Sequence, residues 1–396
     1  MIDTTKTSVL SRREMLALSG ATVAVAALPG HAFGQDAKLP NPLSWTAYDV
    51  GSAGYNQAVA IGKALKDAFG VDLRVLPGKN DVSRQVPLRQ KQVQFSATGV
   101  GATYMAQEGV FDFAQKTWGP QSVRQLMHSN SDSNLTVGVA NDLGIKTFAD
   151  LKGKRVAWTI GAASLNENIT AILAFAGLTW ADVKRVDFPG FGQGWDGLIA
   201  GQVDAAFAQT SSGKCFQAAS SPRGLYWPPL PHADKEGWAR LKAKGPFFIP
   251  NIATEGALLS KEKPHEGATY PYPVLSCYAD QNADLAYLMT KAMITLFDKY
   301  KDSTPGINGW SIDRQDFTWA VPYHDGAVRY YKEIGKWTPQ AQANQDMLIK
   351  RQAVLADAWK GFIGGAPADE KAAEDAWMKV RAEKLKAAGL PAVYDA

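Results

Sequence analysis

The sequence predicts an α/β protein of two lobes, each built on a doubly wound, mostly parallel sheet, with a helical extension at the C-terminus. Three observations predict it. From residue 42 onward, strand-like apolar runs alternate with segments of helical periodicity. A second run of the same kind begins near residue 135 and carries its own strand-end loops. Much later, "VLSCY" at 274–278 supplies one more strand, placed to return the chain to the first lobe.

Taken in order, "SWTAY" is the first strand and leads through "DVGSAGYNQ" to a helix over 57–69. There Ala58, Ile61, Leu65 and Ala68 recur at helical spacing. "DLRVLPG" is the second strand, and Asn80 or Asp81 caps a helix that Pro87 must kink or end. "VQFSATG" is the third strand, and "GATYMAQEG" opens the next helix. Ligands of such sheets sit beyond the carboxyl ends of the strands, so the loops starting at Gly51, Gly78 and Thr98 are expected to converge on one crevice. "VRQLMHS" and "NLTVGVA" follow as strands. The second lobe then reads strand, loop, helix, strand through "KRVAWTIGAASLNENITAILAFAGLTWADVKRVDFPG", and helix and strand through "WDGLIAGQVDAAFAQT". "YWPPLPH" interrupts the pattern, and "ADLAYLMTKAMITLFDKY" keeps Leu285, Leu288, Met289, Ala292 and Leu296 on one helical face. The expected boundaries are 35–138 and 274–335 for the first lobe, 139–273 for an inserted second lobe, and 336–396 for the extension. Strands near 135–139 and 274–278 are expected to form the hinge. The extension reads as two helices broken at Gly364-Gly365-Ala366-Pro367; its default role is packing on a lobe, with dimerisation or contact with a membrane partner as alternatives.

The start of the chain reads as an export signal. Arg12 and Arg13 precede an apolar run from Met15 to Leu28, too short for a permanent membrane helix. Small residues place cleavage near Ala32 or Gly34, so 1–34 is the signal peptide and the mature protein is expected in the periplasm. Ser-Arg-Arg followed by apolar residues and Leu resembles the twin-arginine type, although Met15 and Ala17 depart from its usual Phe and Lys. Without this segment 39 Lys+Arg face 36 Asp+Glu, a near-neutral balance that favours neither nucleic acid nor a lipid surface as partner.

Several chemistries are disfavoured. The only cysteines, Cys215 and Cys277, do not make a disulfide framework and are expected to be free. They and the five histidines show no metal-ligand spacing. "GVGATY" and "GFGQGW" do not complete a dinucleotide fingerprint, and neither a phosphate-binding loop nor a nucleophile elbow is present. Neither an enzyme nor a bound cofactor is therefore expected.

What remains is capture of a small solute by donors from two jaws. The first lobe offers Ser52, Tyr55, Asn80, Arg84, Thr98 and Tyr104; the second offers Ser164, Asn166, Asn168, Gln209 and Thr210. Amides at the helix starts near Ser52 and Asn80 are able to hold a carboxylate. Arg84 either grips one bidentately or is a solvated helix-face cation, and Ser164 or Asn166 either binds or caps its helix. Trp195, one of 12 tryptophans, is read as core rather than as a stacking surface.

Taken together these segments resemble the TAXI-type solute receptors of tripartite ATP-independent periplasmic (TRAP) transporters. "VPYHDGAVRYYKEIG", 321–335, resembles the family's Pro-x-His-Pro-Gly-Ala-x-Arg-Tyr-Tyr-x-Glu-x-Gly ending, with Asp325 in place of the second proline. "DLKGKRVAW", "AGLTWADV" and "LIAGQVDAAFAQT" resemble the frame around the second-lobe loop. The likeness runs from about Leu43 to Gly335. It implies a two-lobed, periplasmic-binding-protein-like (type II) fold, an organic-acid ligand such as a dicarboxylate or acidic amino acid, and ion-driven TRAP permease subunits as partners. The binding loops depart from the pattern. Tyr55 stands alone where two aromatics are usual, Arg84 stands where Asn is usual, and Ala162-Ala163-Ser164-Leu165 replaces Gly-Ser-Gly-Thr. A monomer is expected, any dimer forming through the extension. The rival readings are a receptor of an ABC transporter for an aromatic or nitrogenous solute, a twin-arginine-exported periplasmic enzyme, and a sensor.

Overall fold

The computed structural model describes residues 38–394, so the export segment read at 1–34 lies outside the described residues. In chain order the strands are β1 (Leu43–Ala47), β2 (Leu73–Pro77), β3 (Phe95–Thr98), β4 (Val123–His128), β5 (Leu135–Ala140), β6 (Arg155–Thr159), β7 (Lys184–Phe188), β8 (Ala205–Gln209), β9 (Leu225–Tyr226), β10 (Ile249–Ala253), β11 (His265–Thr269) and β12 (Val274–Tyr278). They form two five-stranded sheets of the same plan. Lobe I has the order β2-β1-β3-β12-β4 and lobe II the order β7-β6-β8-β5-β9, while β10 and β11 pair as a separate ribbon. In each sheet the strands linked by helices run parallel and the strand that enters from the other lobe runs antiparallel: β12 against β3 and β4, β5 against β8 and β9. This is the two-lobed type II architecture, with a second lobe inserted into the first.

The crossings themselves are short. The chain leaves β4 through 129–134 and returns through 270–273, and the two segments bond to each other, Ser129 N to Pro273 O and Tyr272 N to Ser129 O, both at 2.8 Å. The expected hinge strands β5 and β12 instead lie inside the sheets, because five or six residues of each are consumed by ladder pairing. The first helix, Ala53–Phe69, starts four residues earlier than periodicity predicts, since Ser52 caps it by accepting from Tyr55 N at 3.2 Å. Helix Asp81–Arg89 begins in a capping box made by Asn80 and Ser83 and runs two residues beyond Pro87.

Apolar burial follows the sheet faces. In lobe I, Trp45 and Phe95 meet edge to face at 6.4 Å under helix Ala53–Phe69. In lobe II, Trp195 is buried against Trp227 and donates to Phe207 O at 3.0 Å, so it fills the core. Cys215 and Cys277 are buried free thiols, one in each lobe. No helix among the described residues is long and apolar enough to cross a membrane.

The extension forms helices Pro339–Ile363 and Glu370–Ala387, which pack on lobe I around Trp377, Leu355 and Leu385. A buried charge cluster fastens them. Glu108, fully enclosed in lobe I, receives Arg351 Nε and Nη2 at 2.6 and 2.7 Å and Arg381 Nη2 at 2.5 Å. Burial alone would raise the Glu108 carboxyl, but the two guanidiniums hold it below the usual carboxylate range. Removing one member of such a cluster strands the rest without counter-charge. Glu108→Gln is therefore expected to lower stability by about 3–5 kcal/mol in urea denaturation, with greater protease sensitivity of the extension than of the lobes.

Candidate functional site

The strand ends of both lobes face each other across a cleft that is closed. Its walls come from the residues just beyond β1 (Tyr48, Ser52), the starts of helices Ala163–Phe175 and Phe191–Ile199 (Ser164, Leu165, Asn168, Phe191), β8 and the turn after it (Phe207, Ala208, Gln209, Ser212), and the return crossing (Tyr270, Tyr272). The free volume among them is about 20 Å³, close to that of one water. A larger groove of about 810 Å³ lies on the outer face of helix Ala53–Phe69, between its Lys63 and Asp67 ridge and Ser303. It belongs to one lobe only and lies away from the strand ends, so it is not the site that closure forms.

The central device is a buried ion pair in lobe I that reaches into lobe II. Asp81 and Arg84 are both buried, and Arg84 Nη2 bonds Asp81 Oδ1. Arg84 also donates to Thr98 Oγ1 at 3.2 Å and Gly78 O at 3.1 Å, and its guanidinium lies 3.8 Å over the Tyr48 ring. The second oxygen of Asp81 accepts from Ser164 N at 2.9 Å and Ser164 Oγ at 2.7 Å, at the N-terminus of helix Ala163–Phe175. Asp112, also of lobe I, accepts from the neighbouring Ala163 N at 3.0 Å. Two carboxylates of one lobe thus cap the positive end of a helix in the other.

Further bonds close the cleft along its length. Asn80 Nδ2 donates to Ile160 O at 3.2 Å, Gly192 N to Asp49 Oδ2 at 3.1 Å, Ala53 N to Ser212 Oγ at 3.3 Å, and Lys214 N to Gly51 O at 3.2 Å. The spaced glycines of "GVGATY" serve this packing rather than a phosphate. A Cβ on Gly99 would lie 2.1 Å from the Tyr48 hydroxyl, and one on Gly101 2.2 Å from Asp81 Oδ2.

A family model described as the NMT1-like family matches residues 50–335, most of the chain and both lobes. The chain belongs to the NMT1-like family. The chain is also similar to solved structures. One is the alkanesulfonate-binding protein SsuA from Xanthomonas axonopodis pv. citri bound to MOPS, at 15% identity over 82% of this chain and 94% of that one, TM-score 0.44. Another is PhnD1 from Prochlorococcus marinus (MIT 9301) in complex with methylphosphonate, at 12% identity over 75% and 99%, TM-score 0.44. A third is an ABC transporter/periplasmic binding protein from Brucella ovis with glutathione bound, at 13% identity over 65% and 69%, TM-score 0.40.

Within this NMT1-like chain the residues singled out from the sequence are distributed unevenly. Ser52, Ser164, Asn168 and Gln209 line the cleft. Asn80, Arg84 and Thr98 stand behind its wall, with Arg84 neither solvated nor free to grip a ligand because Asp81 holds it. Tyr55 faces the outer groove instead, one side of a helix away from Ser52. Tyr104 packs on Phe247 and Tyr394 at 6.3 and 5.8 Å. Asn166 spends both ends of its amide on Thr159 N and O, at 3.0 and 2.8 Å. Thr210 Oγ1 bridges Asn134 N and Glu255 O at 3.1 and 2.9 Å. Sequence reasoning missed Tyr48, Phe191, Phe207, Ser212, Tyr270 and Tyr272 as cleft walls; the signal available was their position at or just past a strand end, or on the return crossing. None of the described residues lining the cleft is charged, and Asp81 holds Arg84, which removes the basis for an acid-gripping Arg84.

The junction beside Asp112 is acid-rich. Burial and the neighbouring Asp81 push Asp112 up to about 6, from 3.8. Burial pushes Glu167 up to about 7, from 4.5, with Asp112 and Glu374 adding to the rise and Lys244 opposing it. Both folded-state values lie above the unfolded ones, so the folded protein binds more protons and loses stability as pH rises from about 4 to about 7. Glu167→Gln is expected to raise Tm over the unaltered protein at pH 8 and to leave it nearly unchanged at pH 4; equal shifts at both values would contradict this origin.

Proposed function

We propose that this protein is an exported solute receptor, which takes a small molecule between its two lobes and presents it to a membrane permease. The observation that carries the reading is the cleft itself: paired strand ends of two sheets, linked along the described chain by the short crossings 129–134 and 270–273, meet through hydrogen bonds between lobes. Two jaws on such a hinge open to admit a ligand and close around it, because contacts from both lobes are made together only in the closed form. Binding without chemistry is supported by the groups present. The cleft hydroxyls of Ser52, Ser164 and Ser212 have no histidine beside them. His128 and His265 are buried elsewhere and engaged with Gln125 and Asp316 and with Asn134 and Pro228. Among the described residues no cluster of metal-ligating side chains occurs.

Export to the periplasm is part of the proposal and rests on the residues 1–34 and the receptor architecture. Of the two transporter classes read from the sequence, an ABC-type permease is set ahead of a TRAP permease, since the family match carries the NMT1-like description rather than a tripartite one. The organic-acid ligand is not carried forward, because no cation is among the described residues lining the cleft.

Small-angle scattering with and without ligand tests the reading. The molecule that co-purifies is identified by native mass spectrometry, removed by dialysis in denaturant, and added back after refolding. Its return is expected to shrink the radius of gyration and to alter tryptophan fluorescence. A folded protein that carries no small molecule, and whose dimensions respond to none in a broad metabolite panel, would overturn it.

A further inference from the structure

We infer that the ligand of the cleft is an uncharged, flat, nitrogen-bearing solute, an amide or N-heterocycle, recognised by aromatic walls and by the side-chain amides of Asn168 and Gln209. This deepens the receptor reading and rests on it.

The charge balance of the closed site carries the first half. No Lys, Arg, His, Asp or Glu is among the described lining residues. The charges beside the walls are engaged: Arg84 on Asp81, Thr98, Gly78 O and the Tyr48 face, Asp81 on Arg84 and Ser164, Asp49 on Gly192 N, Asp112 on Ala163 N, and Lys214 on Asp196. A ligand carboxylate would therefore enter without a free cation, and would find the end of helix Ala163–Phe175 already taken by Asp81 and Asp112. A ligand cation would enter without a free carboxylate. Either desolvated charge is costly where no partner is left for it. The tyrosines do not supply one, since burial raises Tyr48, Tyr270 and Tyr272 far above neutrality and keeps them as neutral phenols.

The remaining polar and apolar groups carry the second half. Asn168 donates to Tyr270 OH at 2.6 Å and Gln209 to Ser131 Oγ at 2.8 Å, which leaves Asn168 Oδ1 and Gln209 Oε1 buried without partners. Buried unmatched amide ends are expensive in a finished core and are expected where a ligand completes them. An amide or lactam, with both N–H and C=O, satisfies a carboxamide whichever way it is turned. Around these two ends stand Tyr48 and Tyr272, 5.0 Å apart edge to face, and Phe191 and Phe207 from lobe II. Such walls suit a planar ring, which offers area at little entropic cost.

The test uses matched probes: nicotinamide against nicotinate, uracil against orotate, and benzamide against both benzoate and benzamidine. Affinities are measured by calorimetry on the ligand-stripped full chain. The uncharged member of at least one set is expected to bind at least roughly ten-fold more tightly than its charged counterparts, as one unmatched buried charge alone would require. Gln209→Leu and Asn168→Ala are each expected to weaken that binding by roughly ten-fold. Each variant loses a buried hydrogen bond and some Tm, so folding is checked by a circular dichroism spectrum matching that of the unaltered protein at the assay temperature. Tighter binding of a charged member, or of succinate, glutamate or 2-oxoglutarate, would overturn the inference and leave the receptor reading intact. Silence toward every probe together with no co-purifying molecule would overturn both.

Discussion

One buried carboxylate, that of Asp81, is shared between the two lobes, and much of the rest of the site is arranged around it. A carboxylate with no water needs its lone pairs filled, and here a guanidinium from its own helix takes one oxygen while a backbone amide and a hydroxyl from the other lobe take the second. Arg84 must in turn be filled, which fixes Thr98, the carbonyl of Gly78 and the ring of Tyr48 around it. Gly101 leaves the room that the carboxylate occupies, and Gly99 the room for the Tyr48 hydroxyl. The pair is local, three residues apart on one helix, yet its satisfaction depends on a helix more than seventy residues away along the chain.

That dependence explains how much was legible beforehand. The alternation of strand and helix reports a doubly wound, mostly parallel plan, and both sheets keep it with one antiparallel strand each. Strand-end loops are readable for the same reason, which is how Ser52 and Ser164 emerge as cleft residues. What sequence cannot show is which face of a loop residue turns inward. Tyr48 directly follows β1 and reads as a continuation of it, whereas Tyr55 sits in the glycine-rich turn region and reads as a contact facing the crevice; the helix that Ser52 caps starts early and carries Tyr55 round to the outer face. Tyr270 and Tyr272 lie in a stretch punctuated by prolines with no period of its own. Asn166 has the residue type of a ligand contact, but its amide is consumed in holding the end of β6.

The same contrast holds for charge. Arg84 read in isolation is a cation beside a strand end, suited to an acid. Its partner three residues earlier converts it from a binding group into a scaffold, and the cleft becomes electrically neutral. On the receptor reading proposed above, specificity falls to shape, aromatic faces and uncharged amides, which discriminate by leaving mismatched ligands unsatisfied rather than by attracting the right one from afar. Long-range steering contributes little in such a site, and salt is expected to matter little to capture.

The clasp between Glu108 and the extension bears on the order in which the molecule is made. Lobe I draws on the first described strand, on β12, and on Arg351 and Arg381 near the end of the chain. As the polypeptide is synthesised, Glu108 is in place long before either arginine that neutralises it. A nascent lobe that encloses Glu108 before the arginines arrive must bury it as the neutral acid or leave it hydrated, so the native packing of that position waits for Arg351 and Arg381. A position early in lobe I is thus among the last to be finished, and a chain cut before residue 351 would leave Glu108 without either arginine.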